Sequence, residues 1–295
     1  PHPVSTHRVR SGRNFLACFR IVWGVNFSPT NTSTIMSAKI LNDMHLANQK
    51  RWDASAKRWA ECTNSRGIWK KCHEDPSIVF SPTVLKYLSN IEGKKVAVLG
   101  SGDNEAVFAL AGLGAAVTSI DISAEQLQYA AERAEVLGLS IEFIQSDVTN
   151  LAAIEDAQFD LIYTGGHVAV WVSELKRYYQ EASRILKPGG WFLVDEYHPF
   201  RRVWKKVPDA LEVQNDYYHR GPYEYAMGDD VLYQEKGVYT CYEFHWTIGD
   251  FINAVIQAEC QIREIDEHGT YVGDWEISPM KGLPELFLIV AQKSA

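Results

Sequence analysis

Between Lys95 and Val194 the sequence repeatedly passes from a short apolar, β-branched run to a helical stretch, and this alternation constrains the fold more than any other feature. Lys95–Leu99 (KVAVL) stops at Gly100. Ala116–Ile120, Ile141–Ile144, Phe159–Tyr163 and Trp191–Val194 repeat the pattern. Runs this short and this apolar fit strands buried on both faces, and strands alternating with helices form a parallel sheet covered on both sides. Right-handed crossovers then gather the C-terminal ends of the strands at one edge, where ligands bind.

The intervening segments carry helix signals. Glu105–Leu113 is rich in small residues and ends at Gly114. Ser123 opens a helix with Gln126 at capping-box spacing and Gly138 just past its end. Val172–Leu186 is the clearest helix, and Lys187-Pro188-Gly189-Gly190 is expected to close it and turn the chain into the fifth strand. Outside this region, Leu41–Glu61 and Thr83–Leu88 read as helices. Thr247–Glu259 reads as a late helix, and Gln261–Ile265 and Leu286–Ala291 as late strands.

These shifts divide the chain into an N-terminal extension (1–35), a helical cover (36–92), a ligand-binding core (93–199), an aromatic-rich insertion or lid (200–246) and a closing unit (247–295). The extension has Arg8, Arg10, Arg13 and Arg20 but no acid. It fits a transit peptide, or an upstream extension ahead of a functional start at Met36; either way it is expected to be poorly ordered or outside the core.

Composition removes several classes. Hydrophobic residues make up 46% of the chain, enough for a sizeable core. Lys and Arg number 29 against 37 Asp and Glu, a net charge of −8 that disfavours a broad nucleic-acid face. The five cysteines lack zinc-site spacing and fit free thiols in a reducing cytoplasm, with no metal expected. No apolar run approaches the roughly 20 residues of a membrane span, so no membrane partner is expected.

The chemistry concentrates at the strand ends. Gly100-Ser101-Gly102-Asp103-Asn104 joins the first strand to its helix, where glycines permit a tight turn and close ligand approach. A dinucleotide fingerprint would have a third glycine where Asn104 or Glu105 stands, and a plain strand-to-helix turn is the alternative. Asp121 ends the second strand, 21 residues after Gly100, where a carboxylate can accept two ribose hydroxyls; its alternative is helix capping ahead of Ser123. NAD and S-adenosylmethionine fit these residues equally. Three later features separate them: Ser146-Asp147-Val148 after the third strand, Phe159–Tyr163 leading into Thr164-Gly165-Gly166-His167, and Ile185–Phe192 with its Lys-Pro-Gly-Gly turn.

With this ordered set, the chain resembles the class I S-adenosylmethionine-dependent methyltransferases over roughly Lys94 to Pro199, with the late helix and Leu286–Ala291 similar to the family's closing elements. The resemblance implies an α/β, Rossmann-like, seven-stranded, mostly parallel sheet with helices on both faces and an antiparallel last strand beside the fifth. It implies S-adenosylmethionine as cofactor. Gly100, Ser101, Gly102 and Asn104 would form the turn passing its methionine part, Asp121 would hold the ribose, and Ile122, Asp147 and Val148 would line the adenine pocket. Thr164 and Gly165 would lie near the sulfonium. Trp52 and Trp59, seven apart on the cover helix, share a face; Trp59 suits a sulfonium through cation–π attraction, and packing against the sheet is the alternative for both.

For the acceptor, His198 is the first choice of general base, since imidazole titrates near neutrality, with a positioning hydrogen bond as the alternative. His167 and Tyr197 are further catalytic candidates, and Glu196 would orient a cationic acceptor. The aromatic stretch Trp204–Trp246 fits a lid over the acceptor, a homodimer contact or a satellite core. Arg201, Arg202, Lys205 and Lys206 would meet an anionic acceptor or form a solvated surface. The leading expectation is methyl transfer to a small molecule. The alternatives are RNA or protein methylation, an NAD(P)-binding oxidoreductase without a Tyr-x-x-x-Lys pair, and a cofactor-binding partner subunit without catalysis.

Overall fold

The computed structural model describes residues 42–205, 210–227, 239–269 and 282–294; the two readings of residues 1–35, and Lys206 of the basic cluster, lie outside them. Nine strands are described: β1 (Lys95–Leu99), β2 (Ala116–Asp121), β3 (Ile141–Gln145), β4 (Phe159–Gly165), β5 (Leu186–Tyr197), β6 (Tyr223–Met227), β7 (Tyr239–Glu243), β8 (Cys260–His268) and β9 (Leu286–Lys293). Six α-helices accompany them: α1 (Asp43–Arg66), α2 (Pro82–Leu88), α3 (Glu105–Gly112), α4 (Ala124–Leu137), α5 (Leu175–Ile185) and α6 (Ile248–Gln257).

Seven strands form one sheet in the order β3-β2-β1-β4-β5-β9-β8. The first five are parallel, and β9 runs antiparallel to both β5 and β8. This is the Rossmann-like architecture expected from the sequence. Strand β1 shows how the apolar run produces it: Val96, Ala97, Val98 and Leu99 are all buried, with side chains alternating between two cores. Ala97 and Leu99 join Ile162, Phe192 and Val194 against α5 and α6. Val96 and Val98 join Leu161, Tyr163 and Leu193 against α2, α3 and α4. A strand buried on both faces has no polar positions, which is why the run reads as continuous rather than alternating.

The chain builds outward from β1 to β3, then returns to place β4 on the other side of β1. Crossovers therefore diverge between β1 and β4 and leave a crevice at the C-terminal edge of the sheet.

Three local expectations change. Helix α1 runs on to Arg66 and ends at Gly67, whose φ of 68° supplies the left-handed cap. The helix expected from Val172 starts at Leu175, behind a single 3-10 turn over Ala169–Trp171. The Lys187–Gly190 turn is absorbed into β5 as a bulge, because Leu186 already pairs with Phe159 before Trp191 pairs with Leu161. Within the aromatic-rich insertion, β6 and β7 pair as a separate antiparallel ribbon. Its inner face reaches α1: the Asn48 side chain donates to Tyr242 O at 2.9 Å and accepts the Tyr242 N–H at 2.8 Å.

Candidate active site

The crevice holds a cavity of about 340 Å³, within the size range of small-ligand sites. Its floor is the glycine turn after β1. Gly100 has φ 65°, and a Cβ there would lie 2.3 Å from Val168 Cγ1, so the turn tolerates no side chain. Ser101 is pinned underneath by a 2.7 Å hydrogen bond with Ser119. Asn104 caps α3, its side chain accepting the Ala106 N–H at 2.9 Å. That capping explains the missing third glycine: an N-cap is satisfied by an Asn side chain and does not require a bare backbone.

Asp121 ends β2 beside this turn. Its Oδ2 accepts the Gly102 N–H at 2.8 Å and its Oδ1 the Ser123 N–H at 2.8 Å. Each oxygen keeps a further acceptor site. Burial raises the carboxyl to about 6, partly offset by these two bonds. Ile122 follows on the cavity wall.

Asp147, after β3, is held differently. Its Oδ1 accepts both the N–H and the hydroxyl of Thr149 at 2.8 Å. Its Oδ2 lies 2.7 Å from Nδ1 of His45. His45 Nε2 accepts the Ser173 N–H at 2.9 Å, so the ring proton sits on Nδ1 and is donated to Asp147. Burial opposes the charge, but the His45 and Thr149 bonds prevail and hold this carboxyl below its usual range. Both carboxylates, with Val148, line the one cavity.

Helix α1 roofs the site. Gln49 donates to Ile122 O at 2.9 Å, Asp53 accepts the Ser123 hydroxyl at 2.6 Å, and Arg66 bonds Glu105 at 3.1 Å. Trp52 and Trp59 stack with centroids 6.0 Å apart, and Trp52 packs edge-on to Trp171 at 5.2 Å. All three indoles line the cavity. His45, Asn48, Thr63 and Arg66 line it too and were missed from the sequence. A signal was present: residues 45, 48, 52, 59, 63 and 66 follow spacings of three, four and seven, one face of a helix.

On the β4–β5 side several expectations are corrected. His198 does not face the cavity. Its Nε2 pairs with Glu267 at 2.9 Å and its Nδ1 accepts the Phe200 N–H at 3.2 Å, so both ring nitrogens are engaged away from it. Thr164 is fully buried and shares a hydrogen bond with the Tyr178 hydroxyl. Gly165 is still paired with Asp195 inside the sheet, so the wall is formed instead by Gly166 and His167, where the chain leaves β4. Glu196 does not line the cavity. Its carboxylate accepts the N–H groups of His167, Val168 and Ala169 at 3.0, 3.2 and 3.1 Å and brackets that loop from below. Burial raises Glu196 to about 7 despite these bonds.

His167, Tyr197, Arg201 and Arg202 do line the cavity. His167 sits at φ 87°, a strained conformation for a side-chain-bearing residue, and Arg202 contacts its Nε2. Burial, then the Arg202 and Arg201 charges, hold this imidazole well below its usual range, so it is neutral. The Arg201 guanidinium lies 4.0 Å over the Tyr197 ring. Among the described residues, no His, Cys, Asp and Glu cluster could hold a metal ion, and no helix is long and apolar enough to cross a membrane.

Residues 98–194 match the family described as a methyltransferase domain. A ubiquinone biosynthesis O-methyltransferase of Klebsiella pneumoniae is 27% identical over 158 residues, which is 52% of this chain and 62% of that relative's length. The crystal structure of an S-adenosylmethionine-dependent methyltransferase from Mesorhizobium loti superposes with a TM-score of 0.53 at 21% identity, over 72% of this chain and 96% of that one. One from Methanosarcina mazei gives 0.52 at 20% identity, over 73% and 98%. At these identities the likeness to the solved structures is one of fold.

Proposed function

Residues 98–194 form a methyltransferase domain of the class I S-adenosylmethionine-dependent type, and from that premise we propose that the chain transfers the methyl group of S-adenosylmethionine to a small-molecule acceptor. One observation carries the reading. Asp121 and Asp147, from the ends of neighbouring strands, face a single cavity floored by a glycine turn.

The residues present fit the cofactor. Asp121 offers one further acceptor site on each oxygen, as a ribose diol requires, and the bonds from Gly102 and Ser123 fix its orientation. Gly100, Ser101 and Gly102 leave bare backbone for the methionine portion, and Ile122 and Val148 supply apolar wall for an adenine. Asp147, ionised against His45, would accept from an exocyclic amine. Trp59 presents an aromatic face suited to a cation. When bound, the cofactor supplies an activated methyl on a sulfonium. The chain's own work is to hold the acceptor in line and to exclude water beneath α1.

An aromatic-walled cavity of this size supports a small acceptor, as do relatives named for an O-methylation in ubiquinone biosynthesis. Cys72, Cys241 and Cys260 are buried free thiols, which suits a reducing compartment such as the cytoplasm.

Calorimetry with S-adenosylmethionine, S-adenosylhomocysteine and NADH tests the premise. The first two should bind with micromolar affinity and NADH should not. Binding of NADH alone would overturn the reading in favour of an oxidoreductase.

A further inference from the structure

The first turn of α1 is tied to the cavity through one side chain. His45 is buried and joins two separate parts of the chain: Asp147 after β3, and Ser173 ahead of α5. Its Nε2 receives the Ser173 backbone N–H at 2.9 Å. A backbone N–H can only donate, so Nε2 presents its lone pair and the ring proton sits on Nδ1. That proton is directed at Asp147 Oδ2, 2.7 Å away. Asn42, the N-cap of α1, steadies the arrangement by donating from Nδ2 to the Ser173 hydroxyl oxygen at 2.8 Å.

The contacts on Asp147 leave one acceptor position open. A carboxylate has about four lone-pair sites, shared equally between its oxygens. Thr149 fills those on Oδ1 with its N–H and its hydroxyl, each at 2.8 Å. His45 fills one on Oδ2, and the other Oδ2 site remains on a residue that lines the cavity. Asn48, one turn along α1 and also on the cavity wall, donates its amide hydrogens to main-chain carbonyls, at 3.0 Å to Trp171 and 2.9 Å to Tyr242. Those hydrogens are spent within the protein.

Burial opposes the Asp147 charge, and the bond from His45 leads the contacts that overcome it. An ionised carboxyl only accepts hydrogen bonds; a protonated one also donates. With His45 in place, the open Oδ2 site receives a 6-amino group, which donates, and repels a 6-oxo oxygen, which accepts. Without the His45 donor, burial favours the protonated carboxyl, and that form can donate to a 6-oxo oxygen. Building on the methyltransferase reading and its placing of Asp147 at the adenine, we infer that His45 is a positioning residue that sets purine specificity. By holding Asp147 as an acceptor with one open site, it makes the cavity select 6-aminopurine cofactors over their 6-oxo counterparts.

The test compares the binding of S-adenosylhomocysteine with that of its 6-oxo analogue, S-inosylhomocysteine, by calorimetry on the full chain. Wild type should prefer the adenosine compound at least about tenfold, because a site built around one polar partner rejects the wrong one. His45→Phe keeps the ring volume and removes both polar contacts; it should cut the preference at least about fivefold, as should His45→Ala. His45→Asn, whose amide can still donate to Asp147, should keep the preference within about threefold of wild type. A role in packing alone would weaken both ligands together and leave their ratio unchanged. An unchanged ratio in His45→Phe or His45→Ala therefore overturns the inference, as does a wild-type preference below about tenfold, which is read whether or not any variant folds. Loss of the preference in His45→Asn overturns it too. Failure of wild type to bind S-adenosylhomocysteine at all overturns the methyltransferase reading instead.

Discussion

Asp121 reaches back across the glycine turn to Gly102: its Oδ2 accepts the Gly102 N–H at 2.8 Å, while its Oδ1 holds the Ser123 N–H at the start of α4. One buried side chain thus ties the turn after β1 to the end of β2, and does so with the two oxygens proposed to meet the ribose. Both jobs require an ionised carboxylate.

Burial places the Asp121 carboxyl at about 6. S-adenosylhomocysteine affinity should therefore be flat above pH 7 and fall by up to about tenfold per unit below pH 6, as the carboxylate acquires a proton and loses acceptor capacity. The stability term has the opposite sign. A carboxyl raised on folding binds its proton more tightly in the native state, so its contribution is full below the unfolded value of about 3.9 and is lost as pH rises through about 6. Titration calorimetry from pH 5 to pH 8 reads the affinity. Asp121→Asn should bind weakly throughout with a flattened profile; wild-type affinity in that variant would remove Asp121 from the ribose site.

Gly100→Ala should destabilise the chain by about 2–5 kcal/mol, since the left-handed backbone costs roughly 1–2 kcal/mol and overpacking about 1–3 kcal/mol more. The new methyl would meet Val168 Cγ1 at 2.3 Å. Adding Val168→Ala should recover the overpacking part and leave the backbone part. Denaturant unfolding of the single and double variants measures the two. A single variant as stable as wild type would refute the close approach.

His198→Asn should leave kcat within about twofold, because an Asn can still accept the Phe200 N–H at the head of the turn that carries Arg201 and Arg202. A drop in kcat of about a hundredfold would return His198 to the role of general base.

Trp59→Ala should weaken S-adenosylmethionine more than S-adenosylhomocysteine. A cation over an aromatic face is worth about 0.5–2 kcal/mol, so the charged sulfonium should lose roughly 2- to 30-fold and the neutral thioether less. Competition binding with the two ligands gives the ratio. Equal losses would reduce Trp59 to apolar packing.

The alternation of apolar runs and helical stretches already specified the sheet and its crevice, and it placed Gly100, Asp121 and Asp147 at one edge. Buried strands announce themselves as unbroken apolar runs, and Gly100, Asp121 and Asp147 are tied to the ends of those runs by short, local connections, so their position along the chain is nearly their position in space. Which side chains on the β4–β5 side reach the cavity depends on long-range packing. Tyr197 and His198 are neighbours, yet the first lines the cavity and the second turns to Glu267 on β8, because successive residues leaving a strand point to opposite sides and the final β5–β9 pairing sets which is which. Glu196 became a bracket for the 167–169 loop, and His45 a partner of Asp147 from 102 residues away. No periodicity within one segment encodes such contacts; they exist only once α1, β5 and β9 have packed around the same edge.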